Sequence, residues 1–379
     1  MSRQPTSIYP RAWVEVDLGA LRRNGAALAA RARVPLLAVI KADGYGLGAI
    51  RVAGALEPLN PWGFGVATVA EGLELRDAGV SRPILVLSPV LPDEYNAMRR
   101  ATLRPSLGSA EAISEWTRGG GGPWHLSIDT GMNRAGISWT DVGALREVLG
   151  QTAPEGAYTH FHSADLNDDS VGEQLRRFQC ALEAIPSRPR YLHAENSPAI
   201  ERGRESPWDI ARPGVFLYGV GGGAGAKVSP EPVAHLRSRV IDLRTVNDAD
   251  TVSYGATWRA RGPRRIATLG IGYADGYRRA LSNRGTVLLN GQRAPIAGIV
   301  TMDMTMVDVT DVPCEIGDVA TLIGRDGNAV LTVDEVAATA DVLSYELLVG
   351  LKLRVPRFYV DATQEAQQAG AESPAATRR

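Results

Sequence analysis

One lysine stands where covalent chemistry could be done. Lys41 directly follows the apolar run LLAVI and precedes the glycine-rich stretch ADGYGLG. Of 41 lysine and arginine residues, only Lys41, Lys227 and Lys352 are lysine. A lysine amine in a partly apolar site can lose its proton and condense with an aldehyde, whereas arginine keeps its proton. Lys41 therefore suggests an aldehyde cofactor, of which pyridoxal phosphate is the commonest, although a lysine at a strand end can also simply reach solvent.

The surrounding pattern predicts a barrel that would position this lysine. Short apolar runs alternate with amphipathic stretches through the first part of the chain: WVEVDL, LLAVI, FGVATV, ILVLSP, HLSID, AYTHF and YLHAE. Strands that alternate with helices indicate βαβ units and a parallel sheet. Roughly eight units in about 220 residues predict an α/β fold with an N-terminal TIM (β/α)8 barrel, and a doubly wound open sheet is the alternative. Barrel enzymes place catalytic groups at the carboxyl ends of strands, where Lys41 stands.

The pattern changes near residue 221, at the stretch GGGAGAKVSPEPV. This stretch lacks the glycine and the serine or threonine that flank the lysine of a phosphate-binding P-loop, so Lys227 is interpreted as an exposed loop residue. Short runs with turn signals such as Asn290-Gly291 follow and predict a mainly β C-terminal domain. Two helical patterns come after them, around residues 332–340 and 343–352.

These changes in pattern predict four segments. Residues 1–12 form an N-terminal extension that packs with the β domain, and residues 13–228 form the cofactor-binding barrel. Residues 229–364 form the β domain, and the polar residues 365–379 form a disordered tail.

Composition excludes several classes of protein. The 379 residues carry a formal net charge of −1, which favours neither nucleic acid nor an anionic membrane surface as a partner. No apolar run approaches the length of a membrane span, and the N-terminus has no apolar segment typical of a signal peptide. Cys180 and Cys314 lie far apart and suggest neither a disulfide framework nor a metal site. A cytoplasmic protein is expected.

Eight motifs in one order resemble the alanine racemase family: AVIKADGYGLG, IDTGMNRAGI, YTHFHSAD, ARPGVFLYG, VSYGATW, GYADGY, VTMDMTMVDV and LSYELL with RVPR. The resemblance extends along almost the whole chain. It implies a pyridoxal-phosphate enzyme, built as a barrel followed by a β domain, that interconverts L- and D-alanine by two-base exchange of the α-proton. It also implies a homodimer with shared active sites and a role in supplying D-alanine for peptidoglycan.

The resemblance assigns most of the motif residues to the cofactor. Lys41 would hold it and act as the base on one face of the substrate Cα. The phosphate would be bound by Tyr45, Asn196, Ser197, the backbone of Gly214 and Val215, and Tyr345. Arg212 would face the pyridine nitrogen and, because arginine has no acceptor atom, would keep that nitrogen unprotonated. Without the motifs, Tyr45 would be interpreted as an ordinary aromatic residue on a turn, and Tyr345 as a core tyrosine on a helix.

Racemisation needs a second acid or base on the opposite face, and the resemblance assigns that task to Tyr254. A tyrosine normally titrates near pH 10, so it needs help from its neighbours, for which His160 and Arg212 match the family. The resemblance also places His160, like Arg212, among the cofactor-binding residues. Arg134 and the backbone of Met302 would bind the substrate carboxylate. Tyr254 and Met302 would reach into the active site of the partner subunit.

Three positions depart from the motifs of many relatives. Ser127 replaces a lysine that steadies the nearby arginine, so Arg134 must find another partner, such as water or an anion. Thr301 replaces a cysteine found in some members, and Ile299 replaces a basic residue near the substrate access channel, to which Arg279 and Leu343 also belong. These departures leave a serine or broad-specificity racemase as the close alternative. A barrel decarboxylase, a non-catalytic pyridoxal-phosphate carrier and a lysine-dependent aldolase are more distant alternatives.

Overall fold

A computed structural model describes residues 10–166, 168–203, 208–223 and 225–361. The chain divides into two compact units. Residues 21–231 form one, named here the barrel unit, and residues up to 20 together with those from 232 onward form the other, named the β unit. The predicted boundaries at residues 13 and 229 differ from these limits. The predicted tail, 365–379, and most of the predicted extension, 1–12, lie outside the described residues.

The barrel unit is built around a parallel sheet whose strands follow chain order. Every residue of its first three strands is buried, as expected for strands covered on both faces. The strands are β2 (Leu37–Val39), β3 (Gly63–Val66), β4 (Ile84–Val86), β5 (Arg104–Leu107), β6 (His125–Asp129), β8 (Gly156–Tyr158) and β9 (Tyr191–His193), and the short β7 (Ile137–Ser138) pairs with β6.

A backbone segment at residues 211–212 links the two edges of this sheet. Leu36 and Ala211 form a parallel bridge, and so do Asn196 and Arg212. The Leu37 N–H donates to the Ala211 carbonyl at 2.8 Å, and the Arg212 N–H donates to the Glu195 carbonyl at 2.8 Å. This segment stands where an eighth strand is needed, so the ring closes. The predicted TIM barrel is confirmed, and the open doubly wound sheet is not observed.

The helices surround these strands and also occur in the β unit. They are α1 (Leu18–Ala32), α2 (Ala49–Leu56), α3 (Val69–Asp77), α4 (Tyr95–Arg100), α5 (Ala110–Arg118), α6 (Arg146–Gln151), α7 (Ser170–Glu183), α8 (Ser197–Glu201), α9 (Val333–Ala340) and α10 (Ser344–Val349). The last two match the helical patterns predicted after residue 331. None of the helices in the described ranges is both long and apolar enough to span a bilayer.

The predicted strand WVEVDL does not open the barrel. It forms β1 (Ala12–Asp17), which pairs with β10 (Ala234–Val246) and β19 (Arg357–Val360) of the β unit. Its residues alternate between buried and half-buried positions, with Glu15 and Asp17 on the wetter face. Such alternation is typical of a sheet with one solvated face, whereas the barrel strands β2, β3 and β4 are buried at every position.

The β unit contains the strand-rich sequence predicted after the linker. It contains β13 (Arg264–Leu269), β14 (Thr286–Leu289), β15 (Gln292–Pro295), β16 (Thr305–Asp308), β17 (Val319–Asp326) and β18 (Ala329–Leu331). The main sheet has the order β15-β14-β17-β10-β1-β19, with β13 and β18 attached at its sides and β16 paired with β13. The Asn290-Gly291 hairpin is confirmed, since Leu289 pairs with Gln292 and both turn residues have positive φ. Two further strands, β11 (Thr251–Val252) and β12 (Trp258–Arg259), pair with each other in a separate sheet.

Candidate active site

Lys41 lies two residues beyond the last residue of β2, at the carboxyl end of the barrel strands, and its side chain is half-buried. Burial lowers the pKa of its amine, and the positive charge of Arg134 lowers that pKa further. The Glu71 carboxylate acts in the opposite sense. An amine in this environment gives up its proton more readily than a solvated lysine, as a nucleophile or base requires.

Lys41 opens an unusual turn, Lys41–Gly46, in which four successive residues have left-handed backbone conformations. Their φ angles are 52° for Ala42, 52° for Asp43, 60° for Gly44 and 55° for Tyr45. Such a run is rare because each side chain crowds the following carbonyl in this conformation. The turn sends the chain back across the end of β2 and buries the Tyr45 ring.

The Tyr45 side chain reaches the backbone of Gly214. Its ring stacks on Tyr218 with centroids 4.4 Å apart, and the Tyr218 hydroxyl donates to the Val39 carbonyl. A Cβ placed on Gly214 would lie 2.7 Å from the Tyr45 hydroxyl oxygen. Glycine is therefore required at position 214 if the tyrosine hydroxyl is to stay where it is.

Ser197 and Gly214 are joined directly. The Ser197 hydroxyl is buried and accepts the Gly214 N–H at 2.9 Å and, more weakly, the Phe216 N–H at 3.4 Å. Val215 begins the 3-10 helix Val215–Tyr218, while the Asn196 amide oxygen caps α8 by accepting the Ala199 N–H. The structure thus brings Tyr45, Ser197, Gly214 and Val215 together, and Asn196 precedes Ser197 in the same segment.

Arg212 is buried with both terminal nitrogens bound to protein acceptors. One donates to Nδ1 of His193 at 2.8 Å, and the other donates to the Thr159 and Ala194 carbonyls at 2.6 and 3.1 Å. Its Nε makes no hydrogen bond to a residue that the structure describes. Burial lowers the pKa of Arg212 to about 10, which still leaves the guanidinium charged at neutral pH.

His160 follows β8 and stands among three cations. Burial lowers the pKa of His160 to about 3, helped by the positive charges of Arg212, Arg134 and Lys41. The ring is consequently neutral at physiological pH and can donate one hydrogen bond and accept another. The Gln174 amide of α7 fixes the local backbone by donating to the His160 carbonyl at 3.0 Å.

Arg134 is exposed and forms no hydrogen bond or ion pair with the described residues. It nevertheless acts on Lys41 and His160 through its charge. Ser127 lies beside the loop that follows Arg134, since a Cβ on Gly136 would lie 2.9 Å from the Ser127 hydroxyl oxygen. Among the described residues, no protein group takes the supporting place that the resemblance assigns to a lysine at position 127.

Tyr254, Met302 and Tyr345 belong to the β unit, and each is exposed there. The exposed fraction is 74% for Tyr254, 53% for Met302 and 42% for Tyr345. The segments before Tyr254 and Met302 meet, since the Ser253 hydroxyl donates to the Ile299 carbonyl at 2.7 Å. The Thr301 hydroxyl closes the turn that carries Met302 by donating to the Met304 carbonyl at 2.9 Å.

Sequence reasoning missed several buried polar groups behind these residues. His193 contacts Arg212, His125 contacts His193 at 2.8 Å, and Glu155 pairs with Arg104 at 2.5 Å on the far side of His125. The available signal was polar residues within predicted barrel strands, as in HLSID and YLHAE, because a buried polar side chain needs a partner.

Comparison with known proteins identifies the family. The model of the alanine racemase N-terminal domain matches residues 16–221, and that of the alanine racemase C-terminal domain matches residues 233–359. An alanine racemase of Symbiobacterium thermophilum is 41% identical over 364 residues, which cover 92% of this chain and 96% of that protein.

Solved structures of alanine racemases are similar to this chain over most of its length. The crystal structure of alanine racemase from E. faecalis is 31% identical, with a TM-score of 0.88 over 93% of this chain and 99% of that chain. Alanine racemase from Bartonella henselae, solved with covalently bound pyridoxal phosphate, is 28% identical, with a TM-score of 0.85 over 93% of this chain and 100% of that chain. The chain belongs to the alanine racemase family.

Proposed function

We propose that this protein is a pyridoxal-phosphate-dependent alanine racemase that interconverts L- and D-alanine. The observation that carries the proposal is the placement of Lys41, whose amine has a lowered pKa and lies at the carboxyl end of a barrel strand. The lysine begins the turn that also carries Tyr45, and Tyr45 reaches the Gly214 backbone. The family's two domain models match both parts of the chain.

The residues present fit pyridoxal phosphate. Gly214 leaves space beside the Tyr45 hydroxyl that a side chain would fill, and the buried Ser197 hydroxyl fixes the Gly214 backbone there. Backbone N–H groups that can be approached closely suit a phosphate. When bound, the cofactor supplies an aldehyde for the lysine amine and a conjugated ring that withdraws electrons from the substrate Cα. Lys41, Tyr45, Asn196, Ser197, Gly214, Val215 and Tyr345 are proposed to hold it.

Arg212 is proposed to keep the pyridine nitrogen unprotonated. Its terminal nitrogens make three hydrogen bonds, to His193 and to two backbone carbonyls, which leaves the Nε–H and one Nη1–H as donors toward another group. A guanidinium has no acceptor and keeps its proton, so it cannot supply one. A pyridine ring with an unprotonated nitrogen would withdraw electrons from the substrate Cα less strongly than a protonated ring. This favours return of the α-proton over further reaction of the substrate, and it disfavours the decarboxylase alternative.

Two bases on opposite faces of the substrate Cα are needed, and we assign them to Lys41 and Tyr254. Lys41 removes or returns the proton on one face, and the Tyr254 hydroxyl does so on the other. Neutral His160 and charged Arg212 are assigned to the support of the tyrosine, and Arg134 and the Met302 backbone to the substrate carboxylate. Guanidinium geometry suits a carboxylate, and Arg134 has no protein anion to satisfy among the described residues.

The active enzyme is proposed to be a homodimer in which Tyr254 and Met302 complete the active site of the partner subunit. Both side chains are more than half exposed in the single chain, as is Leu343, which is 57% exposed. A tyrosine that acts as a base needs a surrounding site to adjust its reactivity, and a side chain that lies in water has no such site. Exposed apolar side chains at functional positions are typical of a surface that another chain covers.

We further propose a cytoplasmic role in supplying D-alanine for peptidoglycan. The free thiols of Cys180 and Cys314 support a reducing compartment. The carrier alternative is disfavoured by the β unit, because carriers of that kind end after the barrel. The aldolase alternative does not require the phosphate site around Gly214.

The activity is tested by chiral chromatography of the purified protein with added pyridoxal phosphate, incubated separately with L-alanine and L-serine. Fast formation of D-alanine with little D-serine is the expected result. Comparable D-serine would shift the assignment to a broad-specificity racemase, and no D-product from either substrate would overturn the proposed function.

A further inference from the structure

Glu71 lies where the ends of two barrel strands meet, next to Lys41. One oxygen of its carboxylate accepts the Ala42 N–H at 2.8 Å. The other accepts the Ala67 N–H at 2.7 Å and the Thr68 N–H at 3.2 Å. Ala42 follows the end of β2, and Ala67 follows β3 directly. A single carboxylate therefore joins two adjacent strand ends through three backbone donors.

The Lys41–Gly46 turn needs such external support. Three of its four left-handed residues, Ala42, Asp43 and Tyr45, are not glycine, and each pays a steric cost of about 1 kcal/mol or more in that conformation. Conformations of this kind persist only where surrounding groups over-determine them. The supporting groups therefore set the direction in which Lys41 leaves the strand.

The two ends of the turn are secured differently. The later end is secured within the turn and α2, since the Asp43 carboxylate accepts the Ala49 N–H at 2.8 Å and the Asp43 carbonyl accepts the Gly48 N–H. The early end, at Ala42, is secured by Glu71 from a different helix, α3. Glu71 is thus the link between the lysine's own turn and the neighbouring strand.

Glu71 also carries the negative charge that opposes the local cations. Burial and Arg134 both lower the pKa of Lys41, and Glu71 raises it. His160, which also senses the Lys41 charge, is neutral. The same carboxylate is therefore connected to Lys41 in two ways, through the backbone of the next residue and through its charge.

We propose that Glu71 is a positioning residue for Lys41, whose carboxylate holds the start of the left-handed turn and balances the positive charge of Arg134 at the lysine amine. The inference rests on the proposed function, because it assigns Glu71 a role in presenting Lys41 to the cofactor. It goes beyond helix capping, which Glu71 also performs together with Thr68 at the start of α3.

The test uses the full-length chain and the isosteric substitution Glu71→Gln. The amide has one acceptor oxygen and no charge, so it cannot satisfy all three backbone donors. Two control variants separate the roles. Thr68→Ala removes the hydroxyl that accepts the Glu71 N–H and leaves the Ala42 contact in place. Glu94→Gln removes a carboxylate that accepts the Leu91 N–H at another helix start and does not act on Lys41.

Two measurements are made on each variant. The first is the affinity for pyridoxal phosphate, by equilibrium titration followed by borohydride reduction and mass analysis of the Lys41 peptide. The second is the pH profile of trace acetylation of the cofactor-free chain. Lys227 and Lys352 are the only other lysines, so they serve as internal standards in every sample. Thermal unfolding checks that each variant is folded.

Glu71→Gln should bind the cofactor about five- to tenfold more weakly, in keeping with the loss of a charge-assisted hydrogen bond. Its Lys41 acetylation profile should move about half a pH unit lower, because the lysine loses an opposite charge. Lys227 and Lys352 should not move, and Thr68→Ala and Glu94→Gln should match the unsubstituted chain.

The direction in which the Lys41 acetylation profile moves distinguishes loss of the Glu71 charge from disruption of the Lys41–Gly46 turn. If the substitution merely opened the turn, water would reach Lys41 and its profile would move to higher pH. An unchanged or higher profile in Glu71→Gln, or an equal loss of cofactor affinity in Thr68→Ala, would overturn the inference. The acetylation measurement needs no cofactor, so failure of the unsubstituted chain to bind pyridoxal phosphate or racemise alanine would count against the proposed function alone.

Discussion

The Arg212 guanidinium donates to Nδ1 of His193 at 2.8 Å, and this contact determines where two buried histidines carry their protons. Arginine has no acceptor atom, so Nδ1 of His193 must be unprotonated. Burial lowers the pKa of both His193 and His125, so both rings are neutral. His193 therefore donates through Nε2 to Nδ1 of His125, which leaves the His125 proton on Nε2, 3.4 Å from the Glu155 carboxylate.

The hydrogen bonds from Arg212 to His193 and from His193 to His125 all donate in the same direction, and together they are named here the buried histidine chain. Removing His193 therefore leaves polar groups unpaired on both sides of it. His193→Phe would leave an Arg212 N–H and Nδ1 of His125 without their present partners inside the barrel. We expect a loss of about 2–4 kcal/mol in the free energy of unfolding, measured by urea titration. His162→Phe, at an exposed histidine, is the control and should change stability by less than about 0.5 kcal/mol. Equal free energies of unfolding for the two variants would show that the buried histidine chain does not stabilise the fold.

Glu155 gives the fold a defined sensitivity to acid. Burial by itself raises the pKa of this carboxyl, but His125 and Arg104 outweigh burial and bring the pKa to about 2. A depressed pKa in the folded state contributes stability above the ordinary carboxyl pKa, and that stability is lost as the pH falls toward 2. Between pH 6 and pH 2.5, Glu155→Gln should therefore lose less stability than the unsubstituted chain, by on the order of 2–3 kcal/mol.

The control for the acid experiment is Glu147→Gln, at an exposed position of α6. Urea midpoints would be compared at both pH values for all three proteins. The difference between Glu155→Gln and Glu147→Gln isolates the buried carboxylate from the general acid sensitivity of the surface. Parallel loss of stability in the two variants would show that Glu155 has no special role.

Some of this site could be predicted from sequence, and the reasons are physical. Lys41 was recognisable because lysine is rare in this chain and because the apolar run before it had to end at the edge of a sheet. The alternation of Glu15 and Asp17 with apolar residues was the available sign that β1 lies in a sheet with one solvated face. Contacts such as His125 with His193, 68 positions apart, depend on how strands pair, and local pattern carries no information about them.

Covalent attachment of the cofactor should depend on the Lys41 amine alone. Lys41→Arg keeps a positive charge but offers no amine that can condense with an aldehyde. Borohydride reduction in the presence of pyridoxal phosphate should therefore leave no adduct in this variant, and racemisation should fall by at least about a thousandfold. Lys352→Ala, which removes a lysine of the β unit, should retain the adduct. A reducible adduct in Lys41→Arg would place the cofactor elsewhere.

The space beside Tyr45 can be tested by Gly214→Ala. Gly214 has a φ of −127° and a ψ of −95°, outside the regions that residues with a Cβ favour, and the added methyl group would lie 2.7 Å from the Tyr45 hydroxyl oxygen. Cofactor affinity should fall by about tenfold or more in a chain that urea titration shows to be still folded. Gly172→Ala on α7, where a Cβ meets no atom within 4 Å, should bind the cofactor normally and stabilise the helix slightly. Unchanged affinity in Gly214→Ala would remove this position from the phosphate site.

The proposed sharing of active sites predicts complementation between two inactive variants. Lys41→Ala and Tyr254→Phe lie in different units of the chain, and each removes one of the two proposed bases. If Tyr254 serves the active site of the partner subunit, a heterodimer contains one site with both bases intact and one with neither. After dissociation and reassociation of an equal mixture, about half of the dimers are heterodimers, so about a quarter of the unsubstituted activity should return. If both bases came from one chain, every site in the mixture would lack one of them, and no activity would return. Chiral chromatography of D-alanine formed before and after mixing distinguishes the two arrangements.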